Sequence, residues 1–132
     1  MGAESLKGLD VLIVDDEEEF AATLAGRLEL RGMRTRCANS GEAGLSALHE
    51  RWPDILLLDM RMPVLSGLDV LRQVRVDGGF PNGPKLPVLI VSGHCSEPEA
   101  EQAAVLGIQE YLAKHLDFGE LLAAMAGAVD CR

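Results

Sequence analysis

Four short apolar runs recur along this chain: Val11 to Val14, Ile55 to Leu58, Val88 to Val91, and a weaker one over Ile108 to Ala113. Each has the length of a strand, and each is followed by a segment with helical spacing. Met33 to Ala38 alternates as an edge strand does. Phe20 to Leu30, Ala43 to His49, Leu68 to Val76, Ala100 to Leu106 and Leu121 to Val129 carry apolar residues three and four apart. The order is therefore β-α repeated five times. Unbroken apolar strands alternating with helices require a parallel sheet covered on both faces, with right-handed crossovers. The sequence predicts a doubly wound α/β fold with a five-stranded parallel sheet.

Punctuation supports these boundaries. Asn39 with Glu42, Ser96 with Glu99 and Asp117 with Glu120 have the spacing of a capping box, in which a side-chain oxygen and an acid three residues on satisfy the first free N–H groups of a helix. Gly32 and Gly107 stand where helices should close before the next strand. Asp77 to Lys85, rich in Gly and Pro, reads as an inserted loop between a helix and a strand, at the amino end of the sheet.

Composition narrows the function classes. With 132 residues the chain is expected to form a single domain, with its core over about 9–129 and no output domain. A formal net charge of −9 repels nucleic-acid phosphates and anionic lipid, so no direct nucleic-acid or membrane partner is expected. Cys37, Cys95 and Cys131 offer neither a disulfide framework nor zinc-site spacing. The longest apolar stretches fall far short of the roughly 20 residues a membrane span needs. A cytoplasmic protein with reduced thiols is the expectation.

In open α/β sheets ligands bind beyond the carboxyl ends of the strands, so the residues following each strand matter most. Strand one ends at Asp15-Asp16, strand three at Asp59, strand four at Ser92 and strand five at Lys114, while strand two ends without a charge at Ala38-Asn39. In the common order 2-1-3-4-5, the four polar ends converge on one crevice and strand two lies outside it. Three carboxylates brought together repel one another and raise the pKa of at least one unless a cation is present. A hard ion that takes oxygen ligands, Mg²⁺, suits such a cluster better than a softer metal. A carboxylate beside Mg²⁺ can attack phosphorus, with Lys114 pairing to the phosphoryl oxygens and Ser92 donating a hydrogen bond.

The motifs V-L-I-V-D-D-E at Val11 to Glu17, D-M-R-M-P-V-L-S-G at Asp59 to Gly67, V-S-G at Val91 to Gly93 and Y-L-A-K at Tyr111 to Lys114 carry a resemblance. In this order and spacing, over about Leu9 to Val129, the chain resembles the receiver domain of two-component response regulators, the CheY-like family with a flavodoxin-like fold. The resemblance implies that Asp59 accepts a phosphoryl group from a phosphohistidine on a histidine kinase or histidine phosphotransfer protein. It implies that Asp16, Asp59 and the backbone carbonyl of Arg61 bind Mg²⁺ directly, with Asp15 acting through water. Ser92 would bond the phosphoryl group, and Tyr111 would turn inward behind it, reshaping the surface of the fourth helix, fifth strand and fifth helix for a downstream output protein or domain. On this reading the protein is a signalling phosphoacceptor and not an enzyme.

The chain departs from the family at one point: His115 stands where a cis proline usually follows the lysine. A cis bond before a non-proline residue costs roughly 2.5–4 kcal/mol, so a trans Lys114–His115 bond is expected, which leaves the aim of Lys114 open. Two alternatives remain. One is a receiver-like module that signals by contact alone. The other is an aspartate-nucleophile phosphohydrolase, which would want a second acid two residues after Asp59, where this chain has Arg61. Glu17 to Glu19 read as a solvated acidic helix start, Met60 and Met62 as packing residues, His49 as a helix-end residue, and His94 and Cys95 as loop residues beside the site.

Overall fold

The computed structural model describes residues 6–76, 86–93, 96–115 and 117–130. Strands β1 (Asp10–Val14), β2 (Arg34–Ala38), β3 (Ile55–Leu58), β4 (Val88–Ser92) and β5 (Glu110–Ala113) alternate with helices α1 (Glu18–Glu29), α2 (Gly41–Glu50), α3 (Gly67–Val76), α4 (Glu97–Val105) and α5 (Phe118–Asp130). All strand pairs are parallel, in the order β2-β1-β3-β4-β5. The doubly wound five-stranded sheet expected from the sequence is the one observed.

The runs of β1, β3 and β4 are unbroken because each feeds two cores. Val11, Ile13, Ile55, Leu57, Leu89 and Val91 join a cluster with α1 and α5 residues such as Leu28 and Met125. Their neighbours Leu12, Val14, Leu56, Leu58, Val88 and Ile90 join a second cluster with residues such as Val70, Leu71 and Ala103. Successive side chains of a strand point to opposite faces, so a sheet sandwiched between helices needs an apolar residue at every position. Each such side chain contributes about 1.5–3 kcal/mol when fully buried. Met60 and Met62 are buried in the second cluster, as packing residues should be.

Helices begin one to three residues before the apolar periodicity does, because the first turn needs only a cap. Ser96 and Glu99 form the expected capping box of α4, with Pro98 in the first turn. At α2 the expected cap is displaced by one residue: the Ser40 hydroxyl, not Asn39, accepts from the Ala43 N–H at 3.0 Å. At α5 the Asp117 carboxylate accepts from the Gly119 N–H at 2.9 Å. Gly32 and Gly107, at φ 90° and 82°, end α1 and α4 in the left-handed region that a glycine enters without cost. His49 Nδ1 lies 2.8 Å from the Leu45 carbonyl within its own helix end. The expected insertion over 77–85, with His94, Cys95 and Cys131, falls outside the described residues. Among the described residues no helix is long and apolar enough to cross a membrane.

Candidate functional site: an acidic pocket at the carboxyl end of the sheet

The sheet's hydrogen-bond ladder runs past the strand ends, and this brings the site together. The Asp15 N–H donates to the Ala38 carbonyl at 3.0 Å, the Asp59 N–H to Val14 at 2.9 Å and the Lys114 N–H to Ser92 at 3.1 Å. Residues far apart in sequence are thereby held side by side by backbone geometry. Asp15, Asp59 and Ser92 are 2%, 3% and 2% exposed, so ionising either acid costs desolvation. Asp16 is exposed at the rim.

One oxygen from each of Asp15, Asp16 and Asp59 can lie within 4.8 Å of the others. Lys114 Nζ is 3.0 Å from Asp15 Oδ2 and 3.7 Å from Asp59 Oδ2, and it also pairs with the Glu17 carboxylate. Burial, then the charge of Asp15, pushes the Asp59 carboxyl up to about 6, against the pull of Lys114, the Ser92 hydroxyl and the Arg61 N–H. Burial likewise raises Asp15, despite its hydrogen bonds from the Glu17 N–H and Lys114. Desolvation lowers the Lys114 ammonium, but its bonds to Glu17 and Asp15 outweigh that and hold it above the ordinary lysine value. One ammonium does not balance these carboxylates. Oxygen-only donors with surplus negative charge suit a hard divalent cation, and Asp15, Asp16 and Asp59 are the residues to hold it.

The loop after β3 is built to keep Asp59 in place. A Cβ on Gly67 would come within 2.2 Å of the Asp59 carbonyl oxygen, so only glycine lets α3 start this close to the Asp59 backbone. The Gly67 N–H donates to the Met60 carbonyl at 2.9 Å, and Ser66 and Asp69 cap α3 reciprocally: Ser66 N–H to Asp69 Oδ2 at 3.0 Å, Asp69 N–H to Ser66 Oγ at 3.2 Å. Val64 in this loop adopts φ 69° and is exposed, a left-handed conformation that a β-branched residue occupies only under strain.

The structure thus assembles Asp15, Asp16, Asp59, Ser92 and Lys114 in one crevice. Arg61 directs its N–H to Asp59 and its guanidinium to Glu99 of α4, 3.3 Å away. Tyr111 stands apart, half-buried in β5 opposite Ile90 and packed on the second core cluster. The Lys114–His115 bond is trans, as are all peptide bonds among the described residues. Two residues take parts that their sequence reading did not assign. Glu17, read as a solvated helix start, pairs with Lys114. Asn39, at the strand end without charge, donates from its side-chain amide to the Asp15 carbonyl at 3.0 Å and steadies that turn. Glu17 directly follows the acidic pair, which was the available signal, but nothing local separates it from Glu18 and Glu19.

Comparison with known proteins places these features in a family. Residues 11–126 match the family model described as the response regulator receiver domain. The regulatory protein AtoC of Escherichia coli strain K12 is 32% identical over 84% of this chain and 23% of its own length. The transcriptional regulatory protein KdpE of Mycobacterium tuberculosis is 33% identical over 90% of this chain and 50% of its own. The chain therefore spans half or less of these curated relatives. Among solved structures, a response regulator receiver domain protein from Clostridium thermocellum superposes with a TM-score of 0.81 at 30% identity, covering 93% of this chain and 95% of that one. The Vibrio cholerae chemotaxis protein CheY4 gives 0.82 over 92% and 98% at 21% identity, a likeness of fold alone.

Proposed function

This chain belongs to the response regulator receiver domain family, and from that premise we infer that Asp59 is the phosphoacceptor of a reversible signalling switch. The observation that carries the reading is the convergence on Asp59 of two further acids, a hydroxyl and an ammonium, from separate strand ends. Asp15, Asp16 and Asp59, with the backbone carbonyl of Arg61, would hold Mg²⁺, which supplies the positive charge that offsets phosphoryl and carboxylate repulsion. Asp59 attacks the phosphorus of a phosphohistidine on a histidine kinase or histidine phosphotransfer protein. The P–N bond breaks, and the proton needed by the leaving imidazole comes from solvent or the donor. Lys114 moves from its carboxylates to a phosphoryl oxygen, and the Ser92 hydroxyl donates to another. Tyr111, half-buried beside α4, turns inward as Ser92 shifts, and a downstream output protein or domain reads the altered α4–β5–α5 surface. Such a receiver works in the cytoplasm as a phosphoacceptor, not as an enzyme with a turned-over substrate.

Incubation with a small acyl phosphate and Mg²⁺, followed by mass measurement, tests the reading. Wild type should gain one phosphoryl group, and Asp59→Asn should gain none. A folded, metal-bound wild type that gains nothing would move the assignment to a module that signals by contact alone.

A further inference from the structure

Lys114 faces more carboxylate than it can serve. Its ammonium is 3.0 Å from Asp15 and 3.7 Å from Asp59, and it pairs with Glu17, whose side chain is largely exposed at the mouth of the pocket. It also lies 4.9 Å from the centre of the Phe20 ring, a further attraction on the ammonium. The bond to His115 is trans, so these side-chain contacts, together with the backbone bond to Ser92, fix where the ammonium sits. Asp15 and Asp59 are the buried members of the acidic cluster, and an ammonium resting fully on them would occupy the charge that a divalent cation needs.

We propose that Glu17 is a positioning residue for Lys114: it shares the ammonium with Asp15, holds it back from Asp59, and so keeps the pocket open to a divalent cation. The inference rests on the acidic pocket being a Mg²⁺ site, as in the reading above, but not on phosphoryl transfer. Without the Glu17 carboxylate the ammonium, already on Asp15, closes on Asp59 as well and competes with the metal. Glu18 serves as the control, since it carries the same charge in the first turn of α1 and has no contact with Lys114 among the described interactions.

The test is a cycle of Mg²⁺ affinities by calorimetry on the full chain. Glu17→Gln should weaken Mg²⁺ binding by roughly fivefold, the scale of one exposed ion pair, whereas Glu18→Gln should change it by less than about twofold. In a Lys114→Met background, Glu17→Gln should do no more than Glu18→Gln does. Lys114→Gln serves as a second charge-removing background, and melting curves verify that each variant is folded. A Glu17 effect that persists undiminished without Lys114 would overturn the proposal, because Glu17 would then act on the metal directly. Equal effects of Glu17→Gln and Glu18→Gln in wild type would overturn it as well, as would a wild type that binds no Mg²⁺. A wild type that binds Mg²⁺ but accepts no phosphoryl group removes the phosphoacceptor reading and leaves this cycle to decide Glu17.

Discussion

Strand β1 carries an aspartate at each end, and the two are treated in opposite ways. At the amino end, Arg51 Nε donates to Asp10 Oδ2 at 2.7 Å and Arg36 Nε lies 3.7 Å from Oδ1. The Asp10 N–H donates to Asp54 Oδ2 at 2.9 Å, while Arg36 also donates to the carbonyls of Ala47 and Arg51 at 2.9 and 2.7 Å. Asp10 meets two guanidiniums, Asp54 holds its backbone, and the cluster stitches β1, β2, α2 and the start of β3 together. At the carboxyl end, among the described residues, Asp15, Glu17 and Asp59 share one ammonium with Asp16 close by, and burial raises the pKa of both Asp15 and Asp59. A closed charge balance stabilises a fold. An open one costs stability and leaves a demand that a cation or a phosphoryl group can meet.

The largest effect expected from this contrast is at the amino end. Asp10→Ala should cost about 3 kcal/mol of unfolding free energy in urea, because Arg36 and Arg51 lose their partner, while Mg²⁺ affinity stays unchanged. A loss of Mg²⁺ binding in that variant would break the division between the two ends. The carboxyl end should respond with the opposite sign. Asp59 has a folded pKa of about 6 against 3.8 when unperturbed, so its contribution to stability is fully present below 3.8 and is lost as pH rises through about 6. Asp59→Asn should therefore stabilise the metal-free protein by about 2 kcal/mol at pH 8, and the gain should roughly halve by pH 5. Melting temperatures at the two pH values check this, and a destabilised Asp59→Asn would sink it. The smallest effect expected is at Val64, whose φ of 69° adds backbone strain to the charge surplus of the same end. Val64→Gly should stabilise by about 1 kcal/mol in urea unfolding, since glycine enters that region freely but loses more chain entropy on folding.

Much of this was legible in the chain. Unbroken runs such as Ile55–Leu58 announce a strand buried on both faces, because only a sheet between two helix layers uses every side chain of a strand. Asp59, Asp15 and Ser92 could be singled out because each ends such a run, and Lys114 because it ends a weaker one, and the topology rule converts that position into proximity. The Ser96–Glu99 cap was legible because it is local. The Asn39 cap was misplaced by one residue because Asn39 is engaged with Asp15, 24 positions away, and no local pattern reports that bond.

Glu17 marks the boundary between the two kinds of information. The sequence determined the fold, the strand order to be expected and the identity of the acids, since periodicity and residue type act over a few positions and repeat along the chain. Only the tertiary structure decided which of three consecutive glutamates meets Lys114, 97 residues later, and how the one ammonium is shared among its carboxylates. Electrostatic partnership depends on distances of a few ångströms between segments remote in sequence, and those distances exist only once the sheet has formed.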